Sequence, residues 1–64
     1  MIRVTRINGN ECVLNSELIK FIEETPDTII TLTNNEKVIV TENSDEIIHK
    51  IIEFKRTVRL YPDQ

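Results

Sequence analysis

Thr28-Ile29-Ile30-Thr31-Leu32-Thr33-Asn34-Asn35-Glu36-Lys37-Val38-Ile39-Val40-Thr41-Glu42-Asn43-Ser44-Asp45-Glu46-Ile47 is the stretch in which this chain changes its period. Thr28 to Thr33 and Lys37 to Thr41 are rich in β-branched residues, which fit a pleated, half-buried surface. Asn34-Asn35-Glu36 between them reads as a hairpin loop, because asparagine tolerates the left-handed backbone region, though at a cost that glycine avoids. From Asn43 the pattern becomes helical. Asn43 or Ser44 can cap the first turn, and Asp45 and Glu46 then sit where the helix dipole favours negative charge. Ile47, Ile51, Phe54 and Val58 follow at i, i+4, i+7 and i+11, with Ile48 alongside, and make one apolar stripe. A hairpin followed by an amphipathic helix sets the fold class.

The rest of the chain adds strands. Ile2 and Val4 alternate with Arg3 and Thr5, the period of a strand with one buried face. Asn8-Gly9 supplies two residues tolerant of positive φ. Glu11-Cys12-Val13-Leu14 then returns, with Cys12 and Leu14 beside Ile2 and Val4. Two readings fit Asn15 to Glu23: a helical turn capped by Asn15 or Ser16, or a third strand from Ile19 to Glu23. A brief turn passing into a strand is the favoured form. Thr25-Pro26-Asp27-Thr28 is a tight turn, with Pro26 at its first corner and Asp27 at its second. Glu46 and Lys50 make an i,i+4 pair of favourable orientation. Lys55, Arg56 and Arg59 complement the helix C-terminus, and residues 59–64 form a tail that Pro62 keeps from being helical. The expected fold is α+β: a small, bent antiparallel sheet of four to five strands, packed on one face by a single C-terminal α-helix.

Composition narrows the rest. Sixty-four residues make one domain, and a chain of this size buries only about 60% of its unfolded surface. One cysteine, Cys12, gives no internal disulfide, and no Cys/His pair stands at zinc-ligand spacing. Good packing or self-association must therefore stabilise the domain. Apolar runs are no longer than three residues, far short of a membrane span. The N-terminus is charged and alternating, unlike a signal peptide. These features lead to a cytoplasmic protein without membrane insertion. A net charge of -3 argues against indiscriminate nucleic-acid binding.

No catalytic, cofactor-binding or metal site is expected. His49, the one histidine, projects opposite the apolar stripe and lacks convergent partners. Cys12 reads as a small core residue with no base to activate it. Glu23-Glu24 reads as a solvated turn, and one glycine cannot build a phosphate-cradling loop. Arg3, Arg6, Lys55, Arg56 and Arg59 are candidates for a basic partner-binding patch, provided that helix and sheet edge lie close. Without that, their role is solubility and helix-end capping. Ile52 lies at the edge of the helix stripe, and Val13 and Ile39 face away from the inward set; the three are either scattered surface hydrophobes or an apolar interface with a second copy or a partner.

Three segments, Met1 to Glu11, Thr25 to Asn34 and Val40 to Glu46, together with Leu14-Asn15 and Leu18-Ile19, closely resemble the FlbD/SwrD family of small flagellar and swarming-motility proteins. The resemblance runs from Met1 to about Arg56 and marks the chain as a single FlbD-like domain over residues 1–64. Matching positions are Thr5, Arg6, Asn8, Gly9, Leu14, Asn15, Ile19, Pro26, Asp27, Thr28, Leu32, Asn34, Val40, Glu42, Glu46 and Lys50. Family members often carry Asn-Gly where this chain has Asn34-Asn35. The resemblance implies a cytoplasmic protein of the bacterial flagellum, a non-enzymatic adaptor that supports motor function or power through contacts with a flagellar motor or assembly protein. The alternative is a small RNA-binding regulator of motility genes. The chain's negative charge and its two Phe and one Tyr, which do not interleave with basic residues, weigh against that alternative.

Overall fold

This computed structural model describes residues 1–60, with the side chains of 58–60 outside the description. The N-terminal alternation becomes strand β1 (Ile2–Thr5), paired antiparallel with β2 (Glu11–Leu14). Leu14 stands opposite Ile2 and Cys12 opposite Val4, as the alternation predicts. A second, three-stranded sheet runs β3 (Ile19–Glu24), β4 (Thr28–Leu32) and β5 (Lys37–Val40), all antiparallel. Between β2 and β3 lies one 3-10 turn, Ser16–Leu18, whose first amides are capped by the Asn15 side chain accepting from the Glu17 N–H at 3.0 Å. This turn buries none of its residues, whereas Ile19 to Glu24 pairs along β4, with one irregularity between Ile19 and Phe21. That difference decides for a brief turn leading into a strand.

The two hairpin loops are built alike. Arg6 N–H donates to the Asn10 carbonyl at 2.7 Å, and Gly9 N–H donates to the Arg6 carbonyl at 2.8 Å. The same two bonds recur as Leu32 to Glu36 at 2.8 Å and Asn35 to Leu32 at 2.8 Å. In each loop an asparagine carbonyl accepts from the amide two residues on: Asn8 from Asn10 at 2.9 Å, Asn34 from Glu36 at 3.0 Å. Only the residue after that asparagine is left-handed, Gly9 at φ 94° and Asn35 at φ 71°. Both are three-residue loops ending in a left-handed residue rather than two-residue turns with two positive φ values. Asn8 and Asn34 serve through their side chains. The Thr25–Pro26 peptide is cis, and Thr25 N–H donates to the Asp27 carbonyl at 3.2 Å.

The expected sheet is divided in two. Its only link across β1 and β5, among the described residues, is the bridge Arg6 to Val40. That bridge is flanked by Ile7 N–H to the Ile39 carbonyl at 3.0 Å and Thr41 N–H to the Thr5 carbonyl at 2.9 Å. The spatial order is thus β2–β1–β5–β4–β3, with the break in the middle. A side chain ends the ladder there: Thr5 N–H donates to both carboxylate oxygens of Glu42, at 2.9 and 3.0 Å, instead of to a strand carbonyl.

Helix α1 (Ser44–Leu60) closes the fold. Asn43 caps it: its side-chain oxygen accepts from Glu46 N–H at 2.8 Å, while Glu46 accepts from Asn43 N–H at 2.8 Å. This reciprocal box occupies Glu46, so the expected Glu46–Lys50 pair is replaced by the cap. Ile47 is fully buried with Ile2, Val4, Ile30, Val38 and Val40, and Ile51 and Phe54 pack against them. The helix contacts β1 and β3 and so spans both sheets. Ile48, read as alongside the buried stripe, is 47% exposed and belongs to the outer flank. Arg59 and Leu60, assigned to the tail by the sequence, continue the helix, within the usual variation of helix ends. Val58 of the stripe and residues 61–64 of the tail lie outside the described side chains and residues, respectively.

Candidate functional surface

Two carboxylates converge where the helix begins. Glu24, at the end of β3, accepts from Ser44 N–H at 3.0 Å and from the Ser44 hydroxyl at 2.7 Å. Both bonds hold the Glu24 carboxyl below its ordinary value, the backbone bond contributing most. Glu42, two residues before the helix, grips Thr5 of β1. Partial burial pushes the Glu42 carboxyl up. The Thr5 and Glu42 amides and the nearby charge of Lys50 outweigh that push and leave it lowered. The helix start is therefore stitched to both sheets, to β3 by Glu24 and to β1 by Glu42. Beside it opens a cleft of about 230 Å³, walled by Ile7, Pro26 and Val40 and edged by Glu24, Asp27 and Asn43.

The residues nominated from sequence lie on two parts of the fold, the β1–β2 hairpin with β5 and the helix. Ile2 and Val4 face the helix, so Arg3 between them faces the other way, beside its cross-strand neighbour Val13. Val13 is 56% exposed. Arg6 is exposed at the bridge, and Ile39 (40% exposed) lies next to it on β5, in contact through Ile7. Ile52, Lys55 and Arg56 are exposed on the helix instead. Arg56 donates to Glu53 at 3.2 Å. The Arg59 side chain lies outside the described residues. Among the described side chains, alternation turns Arg3 away from the face covered by the helix that carries Lys55 and Arg56.

His49 is exposed and stands 3.9 Å from Glu53, one turn away. Cys12 is half-buried against the core. Among the described residues no three His, Cys, Asp or Glu side chains are grouped to hold a metal ion. Among the described residues, no helix is long and apolar enough to cross a membrane. Sequence reading missed the anchoring role of Glu24, whose partner lies 20 positions away. It missed the apolar exposure of Ile7 (57%) and Phe21 (46%) as well. Phe21 flanks Thr31 on the outer face of the sheet, with Lys37 on the other side, and Thr31 is buried there.

Positions that carry the family resemblance meet at this junction: Thr5, Arg6, Pro26, Asp27, Thr28, Val40, Glu42, Glu46 and Lys50. A family model described as "FlbD: Flagellar and Swarming motility proteins" matches residues 1–59. The chain belongs to the FlbD family. It is accordingly a flagellar or swarming motility protein. No curated protein matches the chain, and no solved structure matches it. In this FlbD chain the matching residues act as caps, turns and the carboxylate clamp, so the pattern they form describes how the domain is built.

Proposed function

We propose that this FlbD protein is a non-enzymatic cytoplasmic adaptor that supports flagellar motor function by binding a protein of the motor or of its assembly apparatus. The family match carries the reading. Two carboxylates of the junction, Glu42 and Glu24, serve to tie the helix start to the sheets through main-chain amides and a serine hydroxyl. The contact surface assigned to the partner is the helix-free side of the β1–β2 hairpin, Arg3 and Val13, extended by Ile39, with Arg6 at its rim where the chain bridges to Val40. Exposed cations there steer an acidic partner and set specificity.

Deleting the gene should leave flagella assembled while weakening swarming or rotation under load. A deletion strain that moves normally under every load removes the motor assignment. Arg3→Glu with Arg6→Glu, expressed in that strain, tests the surface separately from Lys55→Glu with Arg56→Glu on the helix. Folded hairpin variants that fail to restore motility and lose a protein captured by the wild type identify the contact. Full restoration by the hairpin variants removes this surface.

A further inference from the structure

The helix carries a second stripe that the core does not use. Asp45, Ile48, Ile52 and Lys55 stand at spacings of three, four and three, which is the a/d spacing of a coiled-coil seam. All four are exposed, with Ile48 at 47% and Ile52 at 49%. The stripe is distinct from the buried one through Ile47, Ile51 and Phe54, being turned by about one residue, roughly 100° of helix. Its ends differ in sign. Asp45 lies in the first turn and Lys55 about three turns on, with the isoleucines between.

That arrangement is complementary to itself when reversed. Laid antiparallel against a second copy about a two-fold axis, Ile48 meets Ile52 of the other copy and Ile52 meets its Ile48. Asp45 then meets Lys55 at each end. Isologous contacts of this kind close as dimers. The parallel arrangement would set Asp45 against Asp45 and Lys55 against Lys55, and like charges at a seam are unfavourable. Arg56 is turned aside and occupied by Glu53 at 3.2 Å. His49 and Glu53 line the outermost face, away from the seam.

We propose that the occupant of this flank is a second copy of the same chain, bound as an antiparallel α1–α1 pair with two Ile48–Ile52 contacts and two Asp45–Lys55 pairs. The seam is short, so the dimer belongs to the small, weak and transient class of interfaces. Its end pairs are solvent-exposed and screened, so association weakens with salt. This inference is independent of the motility reading, and the hairpin surface with Arg3 and Val13 stays outside the dimer, on the side away from the helix.

Sedimentation equilibrium on the purified chain, from micromolar to millimolar concentration, decides the matter. The wild type should dimerise reversibly. Ile48→Ser with Ile52→Ser, at sites too exposed to hold the core, should keep the helical circular dichroism and weaken dimerisation at least about tenfold. Asp45→Lys alone and Lys55→Asp alone should each be weakened, since each sets like charges together. An equimolar mixture of those two variants should associate more tightly than either by itself, because every seam pair is then opposite in sign. The mixture isolates pairing from any loss of helix stability in the single variants. A wild type that is monomeric at millimolar concentration overturns the proposal. So does a dimer indifferent to the serine variant, or a mixture no tighter than its components.

Discussion

The Glu42 carboxylate shows how much one side chain decides here. It accepts the Thr5 amide with both oxygens, so Glu42→Ala leaves a partly buried N–H without its partner. The expected loss is about 1–3 kcal/mol, measured by urea denaturation at neutral pH. Acid should do the same reversibly. Glu42 and Glu24 are both lowered from 4.5 in the fold, so between the native and ordinary values the unfolded chain binds more protons. Their stabilisation is therefore complete above the ordinary value and is lost as pH falls through the lowered native ones. Denaturation midpoints should be flat from pH 7 to about 5 and fall below it, with a shallower fall in Glu42→Gln. An unchanged acid slope in that variant would assign the titration to other groups. Asn35 gives a second residue-scale test. Its φ of 71° is costly for asparagine and far costlier for a β-branched residue. Asn35→Gly should be neutral or stabilising by up to about 1 kcal/mol, and Asn35→Val destabilising, in thermal melts. The positive φ at Asn35 was legible from residue type. The clamp was legible only as a family position, because periodicity carries no information about a side chain that bonds a backbone 37 positions away.

Elements were the most legible level, since each is set by a period or a cap that lies within a few residues. The alternation at Ile2 and Val4 placed β1 and its register against Cys12 and Leu14. The change of period at Asn43 placed α1 and the cap that starts it. Asn43→Ala should cost about 1 kcal/mol, because it removes one half of the reciprocal box. Ile47→Ala should cost about 2–5 kcal/mol, enough to unfold much of so small a domain. Ile51→Ala should cost less, as its side chain is only half-buried. Melting temperatures that fail to rank Ile47 above Ile51 would contradict the buried stripe. What the sequence blurred was the segment from Asn15 to Glu23. There Leu18, Ile19 and Ile22 suit either period, and the deciding partner, β4, is brought in by the fold. Ile48 was blurred for a related reason. A helical stripe has soft edges, and the curvature of the packed sheets determines where burial stops.

At the scale of the whole molecule, the strands were expected and their division into two sheets was not, because a carboxylate rather than a turn residue ends the ladder between β1 and β5. The functional surface was the least legible. Five cations can be counted in a sequence, but whether a strand turns Arg3 toward or away from the helix depends on which face the helix covers. The division has a kinetic consequence. With one bridge and two carboxylates joining the halves, the cheapest way to admit solvent to Val4 and Ile47 is to part the sheets along that line, leaving each ladder intact. The amides of Thr5, Ile7, Thr41 and Ser44 should then exchange with deuterium together, as one opening unit, ahead of those that bind β4 to β5. As pH falls through the lowered native values of both carboxylates, protonation releases them, and the opening free energy reported by that group of amides should fall first.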